Sequence, residues 1–98
     1  MLKKITEHIK EHKEDFFRYY DLHDSFEVSI NFIEANADIP VHTHDKDVFN
    51  YVFEGEIELT IDSNRKTYRA GEWIYIQGTQ PHSVRTKQKV TLLELWKK

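Results

Sequence analysis

The chain has 98 residues, with 14 Lys plus Arg, 17 Asp plus Glu, six His and no Cys, which gives a net charge of −3 with histidine neutral. This length fits one domain, and the absence of cysteine excludes disulfides, thiolate metal ligands and a cysteine nucleophile. The mildly acidic balance argues against nucleic acid as a partner, and the longest apolar run, Trp73–Ile76, is too short to cross a membrane. Charged residues also interrupt the N-terminus where a signal peptide needs an apolar stretch. We therefore expect a small cytoplasmic domain whose metal ligands, if any, are His, Asp or Glu.

Residues 2–20 predict an α-helix, because no Gly or Pro interrupts them and their apolar side chains recur at helical spacing. These apolar residues are Leu2, Ile5, Ile9, Phe16 and Tyr20. His8 and His12 would lie one turn apart on this helix, but two ligands make a poor metal site, and we expect them, like His23, to be ordinary histidines. We assign residues 1–24 to an N-terminal helix that packs on the rest of the chain.

From Phe26 onward the hydrophobic period changes from helical to two, which predicts strands. The predicted strands cover residues 26–33, 48–53, 57–61, 66–69, 73–76, 83–86 and 90–96. Turns rich in Gly, Pro, Asn and Asp separate them, and Asn36, Asp38 and Pro40 predict a loop. Many short strands in succession favour an antiparallel sandwich or barrel over residues 25–98, and closure into a double-sheet roll would avoid exposed edges.

The sequence His42-Thr43-His44 is the clearest candidate for a functional site. On a strand, residues i and i+2 face the same side, so both imidazoles would point to one place. His82 follows Pro81 much later in the chain and could join them only if the sheet closes on itself. A roll of two sheets allows this.

At these residues the chain resembles a small single-domain cupin of the RmlC-like jelly-roll superfamily. The first cupin motif, G-x5-H-x-H-x(3,4)-E-x6-G, is matched in part from His42 to Gly55, and the second, G-x5-P-x-G-x2-H-x3-N, from Gly71 to His82. The resemblance covers roughly residues 36–86. It implies an all-β cupin double-stranded β-helix, a jelly roll, preceded here by an N-terminal α-helix.

The resemblance also implies that His42, His44 and His82 are three of the family's four metal ligands. Val48 stands where the family has its glutamate, so the expected carboxylate ligand is missing. Three neutral imidazoles can hold a divalent transition metal, and their softness favours Zn, Fe, Ni or Cu over Mn. The alternative is an inherited pocket that no longer binds metal.

Further pocket candidates follow from the same alignment and from strand alternation; they are Val48, Asn50, Tyr75 and Gln77. Asn50 could add a weak amide ligand or a hydrogen bond to a substrate, or it could simply satisfy a loop. Of these, Tyr75 and Gln77, together with Tyr51, are the candidate acids or bases besides the histidines. The second motif also departs from the family at Gln77, Thr79 and Thr86, which replace its Pro, Gly and Asn.

Phe49, Tyr51 and Phe53 alternate on the strand face opposite Val48 and Asn50, and an outer face of three aromatics needs a cover. Either the N-terminal helix or a second subunit could provide it, and the resemblance to small cupins favours a homodimer through this face.

Two functions stay open. One is a metal-dependent oxygenase, isomerase or lyase acting on a small molecule, and the other is non-catalytic binding or sensing of a small ligand, with or without metal.

Overall fold

A computed structural model describes residues 1–98. Its elements are α1 (Leu2–Thr6), β1 (Glu11–Glu14), β2 (Phe17–Tyr20), a 3₁₀ turn (Leu22–Asp24), β3 (Phe26–Ile33), β4 (Asp38–His42), β5 (Val48–Glu54), β6 (Glu56–Ile61), β7 (Asn64–Arg69), β8 (Trp73–Ile76), β9 (His82–Arg85) and β10 (Val90–Lys97). The strands form two four-stranded antiparallel sheets, in the orders β3-β10-β5-β8 and β4-β9-β6-β7, and a separate β1–β2 hairpin. The predicted all-β jelly roll with a helix at its N-terminus is confirmed.

The main core lies between the two sheets and is built by strand alternation, because every second residue of each strand faces inward. Val48 and Val52 of β5 face Ile57 and Leu59 of β6, and all four are almost fully buried. The other buried members of this core are Ile74, Ile76, Val84, Val90 and Leu92. Two apolar sheet faces therefore cover each other and leave a cavity at one end of the roll.

The N-terminal helix is much shorter than predicted, since α1 ends at Thr6 and residues 11–20 form a β-hairpin instead. Asp15 has a φ of 24° and turns the chain, and the aromatic residues after it favour a strand over a helix. Arg18 contacts Glu11 across the hairpin at 3.3 Å. No helix in the structure has the length and apolar character needed to cross a membrane.

The hairpin projects from the body of the molecule. Its two strands pair only with each other, and Phe16 at its tip is 99% exposed. The radius of gyration is 14.7 Å, compared with about 13 Å for a compact chain of this length. The molecule is therefore a compact roll that carries a short arm.

A second, smaller core lies between the N-terminal segment and the outer face of the first sheet. Ile5 and Ile9 pack there on Phe26, Phe49 and Leu95, and all five are buried. Phe49 has no exposed surface, so the prediction that it contributes to a subunit interface is wrong. The N-terminal segment occupies that part of the face, and only Tyr51 and Phe53 of the predicted interface remain accessible there.

Strand β3 turns most of its apolar side chains outward. Val28, Ile30 and Phe32 are 37%, 58% and 73% exposed, whereas Asn31, on the other face of the strand, borders the cavity. The regular alternation of β3 locates the strand correctly but does not show which face is buried. The consequence is an apolar strip on the edge strand of the first sheet.

The loop predicted around Pro40 is strand β4 in the structure. Proline cannot donate a ladder hydrogen bond and is tolerated in strands only at edges or irregularities. Strand β4 is an edge strand, and its pairing with β9 shifts register between Ile39 and His42. Pro40 lies within that irregular segment, which explains why a proline typical of loops is found here in a strand.

Candidate metal centre and cavity

Three histidines meet at the open end of the roll. His42 is the last residue of β4 and pairs directly with His82, the first residue of β9. The ring centroids lie 4.2 Å apart for His42 and His82, 4.6 Å for His44 and His82, and 5.1 Å for His42 and His44. One candidate ligand atom from each residue lies within 4.8 Å of the others, so the three rings surround a single point.

His44 reaches this point from a loop and not, as predicted, from the strand that carries His42. Its carbonyl oxygen accepts a hydrogen bond from the backbone N–H of Thr79, which lies in the loop between β8 and β9. Its ring makes an edge-to-face contact with Trp96 of β10, with the centroids 4.8 Å apart. Two separate contacts therefore hold His44 without the help of strand geometry.

Backbone carbonyls fix the orientation of the other two rings. The Nδ1 atoms of His42 and His82 lie 2.9 Å from the Pro40 carbonyl oxygen and 2.8 Å from that of Gln80, respectively. A carbonyl can only accept, so each Nδ1 carries the proton and each Nε2 is left with a free lone pair. The Nδ1 of His44 is buried and has no hydrogen-bond partner, so a ligand could provide one.

The surroundings of His44 and His82 favour the neutral form of both rings. Burial lowers the pKa of His44, and the neighbouring His82 and His42 lower it further, while Asp45 opposes the shift. Burial also lowers the pKa of His82, against the hydrogen bond to Gln80. A metal ligand must be the neutral imidazole, so the lowered pKa values favour the form that can coordinate.

The histidines open into a cavity of about 190 Å³ between the two sheets. Ten of the 16 residues that line it are hydrophobic. The polar lining residues are the three histidines, Asn31, Asn50 and Glu94. Val48 and Asn50, two of the pocket candidates, line this cavity with the histidines.

Tyr75 and Gln77 lie outside the cavity. Tyr75 faces away because Ile74 and Ile76 take the inward positions of β8, and its ring stacks on Phe49 with the centroids 4.8 Å apart. Its hydroxyl donates to Asp47 Oδ2 at 3.0 Å, and burial, with this carboxylate, raises the pKa of Tyr75. Gln77 is exposed beyond the end of β8.

Tyr51 also lies on the outer face of the sheet, where its ring contacts Phe53 and Trp73. The candidate acids and bases therefore do not reach the cavity. Asp47 connects two loops, because it also accepts a hydrogen bond from the Gly78 N–H at 2.7 Å.

Glu94 and Asn31 are polar cavity residues that the sequence did not predict, and Glu94 is the charged one. Leu92 and Trp96, two positions before and after it on β10, face the cavity on the same side of the strand, and Glu94 is the one carboxylate among the lining residues. Burial raises its pKa, and a hydrogen bond from Asn31 partly opposes this shift. A charged residue at an inward position of an apolar strand was the sequence signal that could have identified it.

The fold and the site together define a double-stranded β-helix with a histidine-lined cavity between its sheets. Residues 31–96 match the family model described as "Cupin domain". This match covers more than half of the chain, and the chain therefore belongs to the cupin family. No curated protein matches it.

Solved structures of the same fold include two enzymes. DMSP lyase DddQ from Ruegeria pomeroyi DSS-3 superposes with a TM-score of 0.69 at 22% identity, covering 76% of this chain and 39% of that one. The polyketide cyclase RemF from Streptomyces resistomycificus gives a TM-score of 0.67 at 25% identity over 74% of this chain and 54% of its own. The EutQ protein of Clostridium difficile gives a TM-score of 0.68 at 16% identity over 89% of this chain and 67% of its own. This chain thus spans well under two thirds of both enzymes.

Proposed function

We propose that this cupin binds one divalent transition metal ion through His42, His44 and His82 and acts with it on a small molecule in the cavity. One observation carries the proposal. Backbone carbonyls hold the Nδ1 protons of His42 and His82 and leave both Nε2 lone pairs free, while candidate ligand atoms of all three rings lie within 4.8 Å. Hydrogen-bonded second nitrogens of this kind are the usual support of histidine ligands.

The donor set favours Zn, Fe, Ni or Cu, because three neutral imidazoles without a carboxylate suit these metals better than Mn. A bound metal of this kind supplies Lewis acidity toward a ligand oxygen and, for Fe, chemistry with O₂. Three protein ligands leave a position open to water or substrate, as in catalytic sites. The apolar walls formed by Val48 and its neighbours exclude water from a ligand that enters.

Metal content tests the proposal directly. The purified protein is expected to take up one equivalent of Zn, Fe(II), Ni or Cu in titration calorimetry and elemental analysis. His42→Ala and His82→Ala should each lose stoichiometric binding, whereas His23→Ala, an exposed histidine outside the cluster, should retain it. Wild-type protein that binds no metal, or binding that survives both cluster variants, would contradict the proposal.

The reaction classes that we propose are oxygenation, isomerisation and elimination by a lyase. The resemblance in fold to a lyase and a cyclase supports action on a small molecule, although both enzymes are much longer. Non-catalytic binding or sensing is the second candidate, favoured because Tyr51, Tyr75 and Gln77 all lie outside the cavity. Turnover of a metabolite panel with metal and O₂ would support the enzyme, and a ligand-induced thermal shift without turnover would support the binding protein.

We further propose that two copies of the chain form a homodimer through the apolar strip on β3. Ile30 and Phe32 are 58% and 73% exposed, and Phe53 of β5 is 45% exposed on the same outer face. Large apolar side chains exposed on one sheet face are typical of protein interfaces. The strip, and not Phe49, is then the centre of the contact.

A further inference from the structure

We propose that Glu94, with Asn50 and Asn31 beside it, binds the ammonium group of a small ligand whose other end presents an oxygen atom to the metal ion proposed at the three histidines. The inference rests on the proposed function, because the same cavity holds both groups of residues. The expected ligand is a small aminated compound, such as a short amino acid or an amino alcohol.

The three polar side chains lie on adjacent strands of the first sheet. Glu94 is on β10 and pairs directly with Asn50 on β5, a relation that places the Cβ atoms about 4.5–5.5 Å apart. Asn31 lies on β3 at the other side of β10, and its amide partly opposes the rise in the pKa of Glu94. All three line the same cavity as the histidines, so one ligand can contact both groups.

Asn50 has a buried acceptor without a hydrogen-bond partner, and Glu94 is a carboxylate without an ion pair. Asn50 is only 5% exposed, and its Oδ1 accepts no hydrogen bond. Glu94 takes part in none of the five ion pairs of the structure. A buried acceptor without a partner is costly, and a partly buried carboxylate without an ion pair favours a cation beside it. This wall of the cavity can therefore accept donors and positive charge from a ligand.

An ammonium group meets both needs at once, because it carries three N–H donors and a positive charge. A hydroxyl group offers one donor and no charge, and a carboxylate would be repelled by Glu94. Burial raises the pKa of Glu94, as expected for a carboxylate that lacks a cation. The cavity of about 190 Å³ is smaller than the roughly 300–1,000 Å³ of pockets for drug-sized ligands, which limits the ligand to a small metabolite.

Binding of butylammonium to the metal-free protein at pH 8 tests this subsite independently of the metal. Protein-observed NMR titration should show saturable shifts at cavity residues such as Ile74 and Leu92. Glu94→Gln keeps the shape of the side chain and should weaken binding at least about tenfold, as expected for loss of a hydrogen bond to a charged group. Asn50→Leu removes the unpaired acceptor and should also weaken binding.

Glu58→Gln is the matched control, since this carboxylate faces outward on β6 beside Arg65, at 3.6 Å. It should leave the affinity for butylammonium unchanged. Equal affinity of wild type and Glu94→Gln, or equal binding of 1-butanol or butanoate, would overturn the inference. Loss of zinc binding in Glu94→Gln would also overturn it, because Glu94 would then be a metal ligand. Selective butylammonium binding by a wild-type chain that takes up no metal would support the subsite and contradict only the proposed function.

Discussion

Thr79 has a backbone conformation that suits glycine better than threonine. Its φ is 68°, in the left-handed region, where a β-branched residue is strained. Its N–H donates to the carbonyl oxygen of His44, so the strained residue lies in the loop that holds a candidate metal ligand. Strain of this kind is commonly retained where surrounding structure fixes a functional site.

Thr79→Gly should raise the free energy of unfolding by about 0.5–1 kcal/mol, since relief of left-handed strain exceeds the entropy cost of glycine. Urea denaturation of the metal-free protein measures the change. Thr43→Gly, at an exposed position without positive φ, is the control and should lower stability. A loss of stability in Thr79→Gly would show that contacts of the threonine side chain outweigh the strain.

The candidate site could be predicted from sequence only where a residue belongs to a motif or a regular strand. His42, His44 and His82 were identified by spacing and resemblance, and they lie together. Yet His44 is positioned by a loop hydrogen bond and by Trp96, which no periodicity encodes. Glu94 was missed because alternation defines two strand faces without showing which of them encloses a cavity.

The β5–β6 turn contains the most tightly enclosed glycine of the fold. Gly55 has a φ of +84°, and a Cβ at this position would collide with the backbone carbonyl oxygen of Lys89. Gly71, in the turn before β8, has a similar φ of +91° but no atom within 4 Å of the corresponding position. An alanine at position 71 would therefore meet backbone strain alone, whereas an alanine at position 55 would meet both backbone strain and a steric collision.

Gly71→Ala should lower the free energy of unfolding by about 1 kcal/mol, the cost of an alanine at positive φ. Gly55→Ala should cost clearly more, about 2 kcal/mol or above, because the chain before β10 must also move. Thermal and urea unfolding of both variants provide the comparison. Equal losses would mean that the Lys89 backbone yields without cost.

The elements themselves were largely predictable, with instructive exceptions. Strands β5 to β10 were predicted to within a few residues, because their apolar alternation reflects burial on one face. The helical spacing of Leu2 to Tyr20 arose partly from chance, since only Ile5 and Ile9 among these apolar residues are buried. Aromatic residues on a projecting hairpin imitate an amphipathic helix, and only tertiary contacts distinguish the two.

For the whole molecule, stability of the metal-free protein should depend on pH through His44 and His82, whose pKa values are lowered in the folded state. The unfolded chain binds protons on these rings below about pH 6.5, whereas the folded chain binds them only at lower pH. Stability should therefore fall as pH drops from about 6.5 and level off once the folded pKa values are passed.

Urea unfolding of the metal-free chain between pH 7.5 and 5 measures this dependence. A His44→Gln and His82→Gln double variant should show a weaker fall over the same range, and His23→Gln should behave as wild type. Stability that is constant in the wild type, or an unchanged slope in the double variant, would contradict this assignment. Saturating zinc should raise stability at pH 7.5 more than at pH 5, because protons compete for the same nitrogens.

The proposed homodimer can be tested through the oligomeric state of the protein in solution. Light scattering with size-exclusion chromatography should find a dimer at micromolar concentrations, and Phe32→Glu should convert it to a monomer by placing a charge in the apolar strip. Val41→Glu is the control, since Val41 is 69% exposed on β4 of the other sheet. A monomeric wild type, or a Phe32→Glu variant that still dimerises, would contradict the β3 interface.

The projecting hairpin makes the N-terminal segment separable from the roll. A protease that cuts beside the exposed Phe16 leaves both sheets intact and turns residues 1–15 into a peptide held only by noncovalent contacts. Ile5 and Ile9 still cover Phe49, but retention of the peptide now depends on its concentration instead of its tether. The first residues of the chain thus act as a built-in ligand of the outer sheet, and a synthetic peptide of the same sequence would compete with them for that surface.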